Sequence, residues 1–217
     1  ITLAGLLSEG NTCHPSSLYF FNNKREMIDD FAAAIECFSH TCARVTRRSD
    51  GRFEVCANTG QNSRFQAGQI PWNARSNAAV ATTSLPVRSG AYAWAADLAL
   101  LGKKATEKSV PDVIFTLPHA QIALFLGRLW SGDGFVANKQ LHVPFYATSS
   151  KQLAFDVQTL LLRLSIPSCI HTKHFNYRNG QRVGYTVHVL GDGSVETFVE
   201  RVVPYVICRE GQIAELE

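Results

Sequence analysis

Two short phrases in this 217-residue chain each end in a carboxylate followed by a glycine. Residues 3–10 read LAGLLSEG, and residues 126–134 read LGRLWSGDG. The two acids are Glu9 and Asp133, 124 positions apart, so one copy opens each half of the chain. Two carboxylates held close together repel each other, which raises their pKa unless a cation lies between them. Because hard oxygen ligands suit Mg²⁺, the pair indicates a divalent-metal site built from two distant parts of the chain.

The apolar run in each phrase predicts a helix, with Gly10 or Gly134 as its left-handed C-terminal stop. Each acid then falls in the last turn, where the helix dipole is negative and an anion costs about 0.3–1 kcal/mol. An unfavourable placement repeated at equivalent positions indicates a functional site. We expect the two helices to pack side by side at a pseudo-twofold axis through small residues, which are Ala4, Gly5, Ser131 and Gly132.

The segments after each phrase also correspond. Residues 23–39 and 149–165 carry apolar side chains at three- and four-residue spacing, which is typical of an amphipathic helix. Extended basic segments follow both, with hairpin turn signals at residues 50–51 and 179–180. The sequence therefore predicts an α+β fold in which each half consists of a helix, two strands, a second helix, two more strands and a closing helix.

The doubled phrase resembles the two LAGLIDADG (dodecapeptide) motifs of a homing endonuclease, specifically the endonuclease domain carried inside inteins. Lys104 to Pro111 resembles the Lys-x-Ile-Pro segment before the second motif, and Ser150 to Ile166 resembles the helix after it. The resemblance covers about residues 1–56 and 85–203. Glu9 stands where the motif name has Asp, a common variant in intein endonucleases. The resemblance implies a duplicated αββαββα fold, whose pseudo-twofold-related halves carry saddle-shaped antiparallel sheets.

The resemblance also implies a site-specific endonuclease that cuts an intein-less, double-stranded DNA target by metal-dependent phosphodiester hydrolysis. Glu9 and Asp133 are then catalytic and metal-binding, one acid for each strand, with Gly132 and Ser8 as further metal ligands. Mg²⁺ is the expected ion, Mn²⁺ a substitute, and Ca²⁺ is expected to bind without supporting cleavage. Two alternatives stay open: a DNA-binding domain whose cleavage has decayed, and a maturase-like helper of RNA splicing.

We assign Lys108 to polarise the attacking water or steady the charge at the phosphate. An exposed loop lysine is an alternative of equal weight at this position. Gln66, Gln69 and Lys173 are further candidates for the same role.

Basic residues recur on the predicted hairpins of both halves, although the net charge is only +3. Any one cluster alone indicates a solvated face, but recurrence on equivalent strands favours a surface that follows a phosphate backbone. Two-stranded ribbons fit the major groove, and the register decides which alternate residues face DNA. The predicted DNA contacts are Tyr19, Arg44, Thr46, Arg47, Arg48, Arg52, Lys139, Gln140, His142, Thr172, Lys173, His174, Arg178, Arg182, Thr186 and His188.

The predicted organisation is a first repeat at 1–102, a linker at 103–118, a second repeat at 119–206 and a C-terminal tail at 207–217. The first repeat has an insertion at about 57–78, predicted either to add DNA contacts or to be mobile when unbound.

Two further elements are predicted for the first repeat. Residues 79–83 are its predicted fourth strand. Residues 92–101 are its closing helix, with Gly102 as the stop.

Six cysteines without a CxxC pair favour reduced thiols in a cytosolic protein over zinc or disulfides. A zinc site at Cys169, His171 and His174 is disfavoured because residues 171 and 174 face opposite sides of a strand. The sequence has neither an 18-residue apolar run nor a signal-peptide pattern. We therefore expect a cytoplasmic bacterial, archaeal or phage protein that is not secreted and has no membrane partner.

The chain is also expected to be an endonuclease domain cut from a larger precursor. It begins within its first helix, and it lacks the nucleophilic residue and the His-Asn pair of a splicing domain. The expected partners are double-stranded DNA with a long asymmetric target site and, in the precursor, the splicing domain of the parent intein. The domain itself is expected to act as a monomer.

Overall fold

Helices and strands follow the same order in both halves of the chain. The computed structural model describes residues 1–60, 88–137, 142–177, 180–214 and 216. The first half consists of α1 (Thr2–Ser8), β1 (Gly10–Asn11), β2 (Leu18–Asn22), α2 (Arg25–Glu36), β3 (Cys42–Arg47), β4 (Phe53–Asn58) and α3 (Gly90–Asp97). A linker with a 3₁₀ turn (Ala105–Glu107) and the short helix α4 (Asp112–Phe115) follows.

The second half repeats this order. It consists of α5 (His119–Asp133), β5 (Gly134–Ala137), β6 (Val143–Thr148), α6 (Lys151–Arg163), β7 (Ser168–Tyr177), β8 (Gly180–Val189) and α7 (Asp192–Arg201). A 3₁₀ turn (Val203–Tyr205) and α8 (Glu210–Ile213) end the described chain. The predicted αββαββα order is confirmed in both halves. Among the described residues, no helix has the length and apolar character needed to cross a membrane.

Each half contains one four-stranded antiparallel sheet. The strand orders are β1-β2-β4-β3 and β5-β6-β8-β7, which are equivalent under the duplication. Among the described residues β4 is the fourth strand of the first half, and residues 79–83, which were predicted to form that strand, lie outside the described residues. The closing helix α3 begins earlier than predicted, at an N-cap formed by Ser89, and ends at Asp97, since Ala99 has a positive φ of 53°.

The pleat of each sheet separates a core face from a second face. Leu18 and Phe20 in the first sheet, and Tyr146 and Val187 in the second, are buried, and α2 and α6 pack on these faces. We call the opposite surface of each sheet its open face. It carries Tyr19, Phe21, Arg44, Thr46 and Glu54 in the first sheet, and Phe145, Ala147, Lys173, Gly184, Thr186 and His188 in the second.

Helices α1 and α5 pack against each other, as predicted, but through fewer of the small residues than expected. A Cβ built on Gly132 would lie 2.5 Å from Cβ of Ser8, so these two residues form the close contact. A Cβ on Gly5 would instead meet Phe31 of α2 at 2.5 Å. Ser131 turns toward the C-terminal segment, because its hydroxyl accepts a hydrogen bond from the Ile207 N–H at 2.9 Å. Gly5 and Ser131 therefore attach the central helices to their surroundings.

The glycines after the acids do not act as left-handed stops. Gly134 has φ −87°, and neither it nor Gly10 is among the described residues with positive φ. A Cβ on Gly10 would lie 2.4 Å from Cα of Leu6, and one on Gly134 would lie 2.1 Å from Cδ1 of Trp130. Both glycines are needed because the chain folds back against the residue four positions earlier.

We expect Gly132→Ala to destabilise the protein by about 1–3 kcal/mol, because relief of the clash with Ser8 requires α1 and α5 to move apart. Urea unfolding measures the loss. In a Ser8→Gly background the clashing Cβ is absent, so the same alanine should cost clearly less. Gly193→Ala is the control, since nothing lies within 4 Å of its added Cβ. An equal cost of Gly132→Ala in both backgrounds would contradict the assigned contact.

Candidate active site

The two acids lie together at the ends of the central helices. Ser8 and Gly132 touch, and Glu9 and Asp133 are the next residues of their chains. Asp133 is the last residue of α5, whereas Glu9 caps α1 and donates its backbone N–H to the Gly5 carbonyl at 3.1 Å. The duplication thus brings two carboxylates, 124 positions apart in the chain, to one place.

Burial raises the pKa of both carboxyl groups, and at Asp133 the charge of Glu9 raises it further. Burial, and then the charge of Glu9, raise the pKa of Asp133 to about 6, against the attraction of Lys108 and Arg209. Burial also raises the pKa of Glu9, against the same two cations. An additional cation between the carboxylates would relieve this strain.

Lys108 caps the end of α1. Its ammonium lies 2.9–3.2 Å from four backbone carbonyl oxygens, those of Leu6, Leu7, Ser8 and Gly10. Since an ammonium has three N–H donors, all of them are engaged by the helix end. Lys108 is only 9% exposed, so the alternative of an exposed loop lysine is wrong. A direct contact with water or phosphate, as predicted for Lys108, would require some of these hydrogen bonds to be given up.

The linker holds Lys108 in place from the other side. The Ser150 hydroxyl, at the N-cap of α6, donates to the Lys108 carbonyl at 2.6 Å. The Val110 N–H donates to the buried carboxylate of Asp156 at 2.8 Å. Residues 108–111, with the sequence Lys-Ser-Val-Pro, therefore connect α6 of the second half to the end of α1 that carries Glu9.

Arg209 caps the C-terminal end of α5, as Lys108 caps that of α1. Arg209 was not identified from the sequence. Its guanidinium donates to the carbonyls of Ser131, at 3.1 Å, and Gly132, and it lies 5.3 Å from the ring centre of Phe135. Neither α1 nor α5 has a basic residue in its own last turn, although helix ends leave carbonyls without partners. The absence of a basic residue in these last turns indicates that a cation from elsewhere caps each helix. It does not indicate which residue of the chain supplies that cation.

The donor set at the helix ends fits a hard divalent cation. Mg²⁺ is commonly bound by one or two carboxylates together with water and substrate phosphates, and Glu9 and Asp133 supply two. The carbonyls of Ser8 and Gly132, also predicted as ligands, already accept hydrogen bonds from Lys108 and Arg209. Among the described residues there is no group of three or more His, Cys, Asp or Glu side chains that could hold a metal.

A pocket of about 420 Å³ extends from Asp133 to the open face of the second sheet. Its lining includes Asp133 and Lys108 together with Ala147, Lys173 and Thr186 of the open face. A phosphate group lying on this face would therefore be within reach of the acidic site. Lys173, one of the alternatives to Lys108, is in the same pocket.

The register sorts the predicted DNA contacts by face. The following have the parity of the open face or contact it: Tyr19, Arg44, Thr46, Arg48, Lys173, Arg182, Thr186 and His188. Arg47, Thr172 and His174 have the opposite parity, since they pair with Phe53, Tyr185 and Val183. The predicted DNA contacts are therefore divided between the two faces of the sheets, because side chains alternate with period two.

The remaining predicted contacts lie at strand ends or outside the described residues. Arg52 lies in the first hairpin, paired with Asp50 at 2.8 Å, and its charge lowers the pKa of Glu9. His142 is exposed just before β6. Outside the described residues are Lys139, Gln140, Arg178, Gln66, Gln69 and the part of the predicted insertion after residue 60.

Aromatic rows on both open faces were also missed from the sequence. In the second sheet Phe145 stacks between Phe135 and His188, with ring centres 5.4 and 5.0 Å apart. In the first sheet Tyr19 stacks with Phe21 at 6.1 Å. The alternation of these residues along their strands was the available signal, but it required the register to be known.

Comparison with known proteins finds a domain family that matches part of the chain and solved structures that share its fold. Residues 120–202 match the LAGLIDADG-like domain family. The chain is 37% identical over 113 residues to the replicative DNA helicase DnaB of Synechocystis, and 40% identical over 113 residues to that of Rhodothermus marinus. Each match covers 50% of this chain but only 13% and 12% of the helicase. Protein RecA of Mycobacterium bovis is 26% identical over 201 residues, covering 84% of this chain and 21% of RecA.

Solved structures of the homing endonuclease I-DmoI share the fold along nearly the whole chain. A structure from a study of mesophilic I-DmoI variants superposes with a TM-score of 0.56 at 11% identity, covering 94% of this chain and 93% of the other. The crystal structure of I-DmoI in complex with DNA and Mn gives a TM-score of 0.54 at 12% identity, covering 93% of each chain. At such identities the likeness is one of fold. The fold predicted from the sequence is thereby confirmed.

Replacement of Asp133 should stabilise the protein when divalent ions are chelated. A carboxyl group whose pKa is higher in the folded state than in the unfolded state stabilises the fold at a pH below its unfolded-state pKa. For Asp133 this stabilisation is lost as the pH rises through about 6. We therefore expect Asp133→Asn to be more stable than the wild type at pH 7.5, by up to about 3 kcal/mol, with the difference shrinking toward pH 4.5. Urea unfolding in EDTA across this range measures it.

The control is Asp50→Asn, because Arg52 lowers the pKa of that exposed carboxyl. This substitution should give no stabilisation at pH 7.5. If Asp133→Asn is equally or less stable than the wild type at pH 7.5, the carboxylate is not strained in the way described.

Proposed function

We propose that this chain, whose residues 120–202 match the LAGLIDADG-like domain family, is a site-specific endonuclease that hydrolyses both strands of a double-stranded DNA target. The observation that carries the proposal is the meeting of Glu9 and Asp133 at the ends of α1 and α5, with Asp133 in a pocket that reaches the open face of the second sheet. One acid per half suits a substrate that has two strands of nearly twofold-related backbone.

In this proposal Glu9 and Asp133 bind divalent cations, and Mg²⁺ is the ion that supports cleavage. Such ions, when bound, activate water for attack on the phosphodiester and stabilise charge on the leaving oxygen. Lys108 and Arg209 donate hydrogen bonds to the carbonyls at the two helix ends and offset the negative charge where the exposed Glu9 and the half-buried Asp133 meet. Basic residues of the open faces, among them Arg44 and Lys173, bind phosphates and position the duplex over the acids.

We further propose that the domain belongs to an intein. The matched relatives include a replicative helicase, DNA gyrase, DNA polymerase II and RecA, each matched over a small part of its length. Such a spread is expected of a mobile insert carried by different hosts. The target is then an uninterrupted gene of the host protein, with specificity distributed over many contacts and over DNA deformability.

Selection from random DNA tests the function without any assumption about the target sequence. Duplexes that the protein retains in Ca²⁺ are sequenced, and the enriched site is then incubated with protein in Mg²⁺. Enrichment of one long asymmetric site, followed by double-strand cutting in Mg²⁺ and not in Ca²⁺, supports the proposal. Binding without cutting in Mg²⁺ or Mn²⁺ identifies a decayed DNA-binding domain. Preference for RNA over every DNA pool would support the maturase-like alternative.

Glu9→Gln and Asp133→Asn should each lower the rate of double-strand cutting about a hundredfold or more, because each removes a charge that acts on the transition state. Binding of the selected site in Ca²⁺ should change little. Glu196→Gln, on α7, is the matched control and should leave cutting unchanged. Retention of full double-strand cutting in either acid variant would contradict the assigned roles.

Arg44→Ala and Arg47→Ala test which face of the sheet contacts DNA. Both arginines are exposed on β3, three positions apart and on opposite faces. We expect Arg44→Ala to weaken binding and to reduce the slope of log affinity against log salt by about 1. Arg47→Ala should leave both quantities unchanged. Binding isotherms at several salt concentrations measure them, and a larger effect of Arg47→Ala would reverse the assignment.

A further inference from the structure

Tyr146 is a fully buried tyrosine whose hydroxyl has no hydrogen-bond partner among the described residues. A buried hydroxyl without a partner is unfavourable, because it has lost its hydrogen bonds to water and gained none in the protein. Buried tyrosines therefore usually find a partner. This hydroxyl is a polar group that the packing alone does not explain.

Tyr146 lies close to the acid pair in the fold. Tyr146 is opposite Gly134 in the β5–β6 ladder, and Gly134 follows Asp133. Its ring centre is 5.7 Å from that of Trp130, one turn before the acid on α5. The charges of Asp133 and Glu9 both raise the pKa of Tyr146, so the hydroxyl is within electrostatic reach of both carboxylates.

The first half of the chain provides an internal comparison. Phe20 is opposite Gly10 in the β1–β2 ladder, as Tyr146 is opposite Gly134. Phe20 is also buried, and it stacks on Phe31 with ring centres 4.4 Å apart. A phenyl ring therefore satisfies the packing at this position of the fold. The hydroxyl of Tyr146 is an addition that only the second half carries.

Building on the proposed function, we propose that Tyr146 is a positioning residue of the divalent-metal site. Its hydroxyl donates a hydrogen bond to the carboxylate of Asp133, directly or through one water, when that carboxylate ligates a cation. The hydrogen bond fixes the orientation of the Asp133 carboxylate on the side away from the cation. Carboxylates that ligate metals are themselves commonly hydrogen-bonded, and loss of such a partner weakens metal affinity about 10- to 100-fold.

The test is Tyr146→Phe, which places at residue 146 the side chain that the fold already accepts at residue 20. Binding of Mn²⁺ is followed through the loss of the electron paramagnetic resonance signal of the free ion, with protein alone and with protein bound to the selected DNA. We expect the dissociation constant for Mn²⁺ to rise about tenfold or more. The thermal stability of the protein in EDTA should be unchanged or slightly higher, because the substitution removes an unsatisfied polar group.

Cleavage provides a second readout. The Mg²⁺ concentration that gives half the maximal rate should rise by a similar factor in Tyr146→Phe. The rate at saturating Mg²⁺ should stay within about threefold of the wild type, since the two acids are intact.

Tyr92→Phe is the matched control, because the Tyr92 hydroxyl donates to the carbonyl of Pro15 at 2.9 Å, in the first half. It should lower the melting temperature in EDTA and leave Mn²⁺ affinity unchanged, the opposite pattern to Tyr146→Phe. One outcome overturns the inference and leaves the proposed function standing. In that outcome the wild type binds Mn²⁺, Asp133→Asn abolishes the binding, and Tyr146→Phe binds Mn²⁺ as tightly as the wild type. Absence of Asp133-dependent Mn²⁺ binding in the wild type, with and without DNA, would overturn both.

Discussion

The contact between Ser8 and Gly132 is the constraint on which the rest of the site depends. It brings together the C-terminal ends of α1 and α5, and with them two carboxylates and two negative helix ends. Such an accumulation of negative charge is unfavourable in a partly buried place. Two cations from elsewhere in the chain offset it: Lys108, from the linker between the halves, and Arg209, from the segment after the second half. The acid pair is thus held together by parts of the chain that the duplication itself does not contain.

The two halves are equivalent in topology but not in chemistry. Both sheets have the same strand order and present one open face. Yet a lysine caps one helix end and an arginine the other, and Phe20 corresponds to Tyr146. These differences lie within or directly behind the site. The site is therefore asymmetric in its chemistry, which suits the long asymmetric DNA target that we propose.

Much of the fold could be predicted because the duplication presents the same pattern twice. Glu9 and Asp133 mark equivalent helix ends, and the helical spacing after each of them locates α2 and α6. The faces of Arg47 and His174 could not be predicted, since a shift of one residue in strand register moves a side chain to the opposite face. Arg209 was missed because its partners, Ser131 and Gly132, are more than 70 positions away. Gly10 and Gly134 were misread because a glycine required by a close contact looks, in sequence, like one required by a left-handed turn.

The most direct test of the central claim is anomalous diffraction from crystals of the protein with its selected DNA and Mn²⁺. The claim is that Glu9 and Asp133 form one shared metal site. It predicts an anomalous peak at ligand distance from both carboxylates, about 2.0–2.6 Å from their oxygens. Peaks at only one acid, or at neither, with the DNA seated on the open faces, would contradict it.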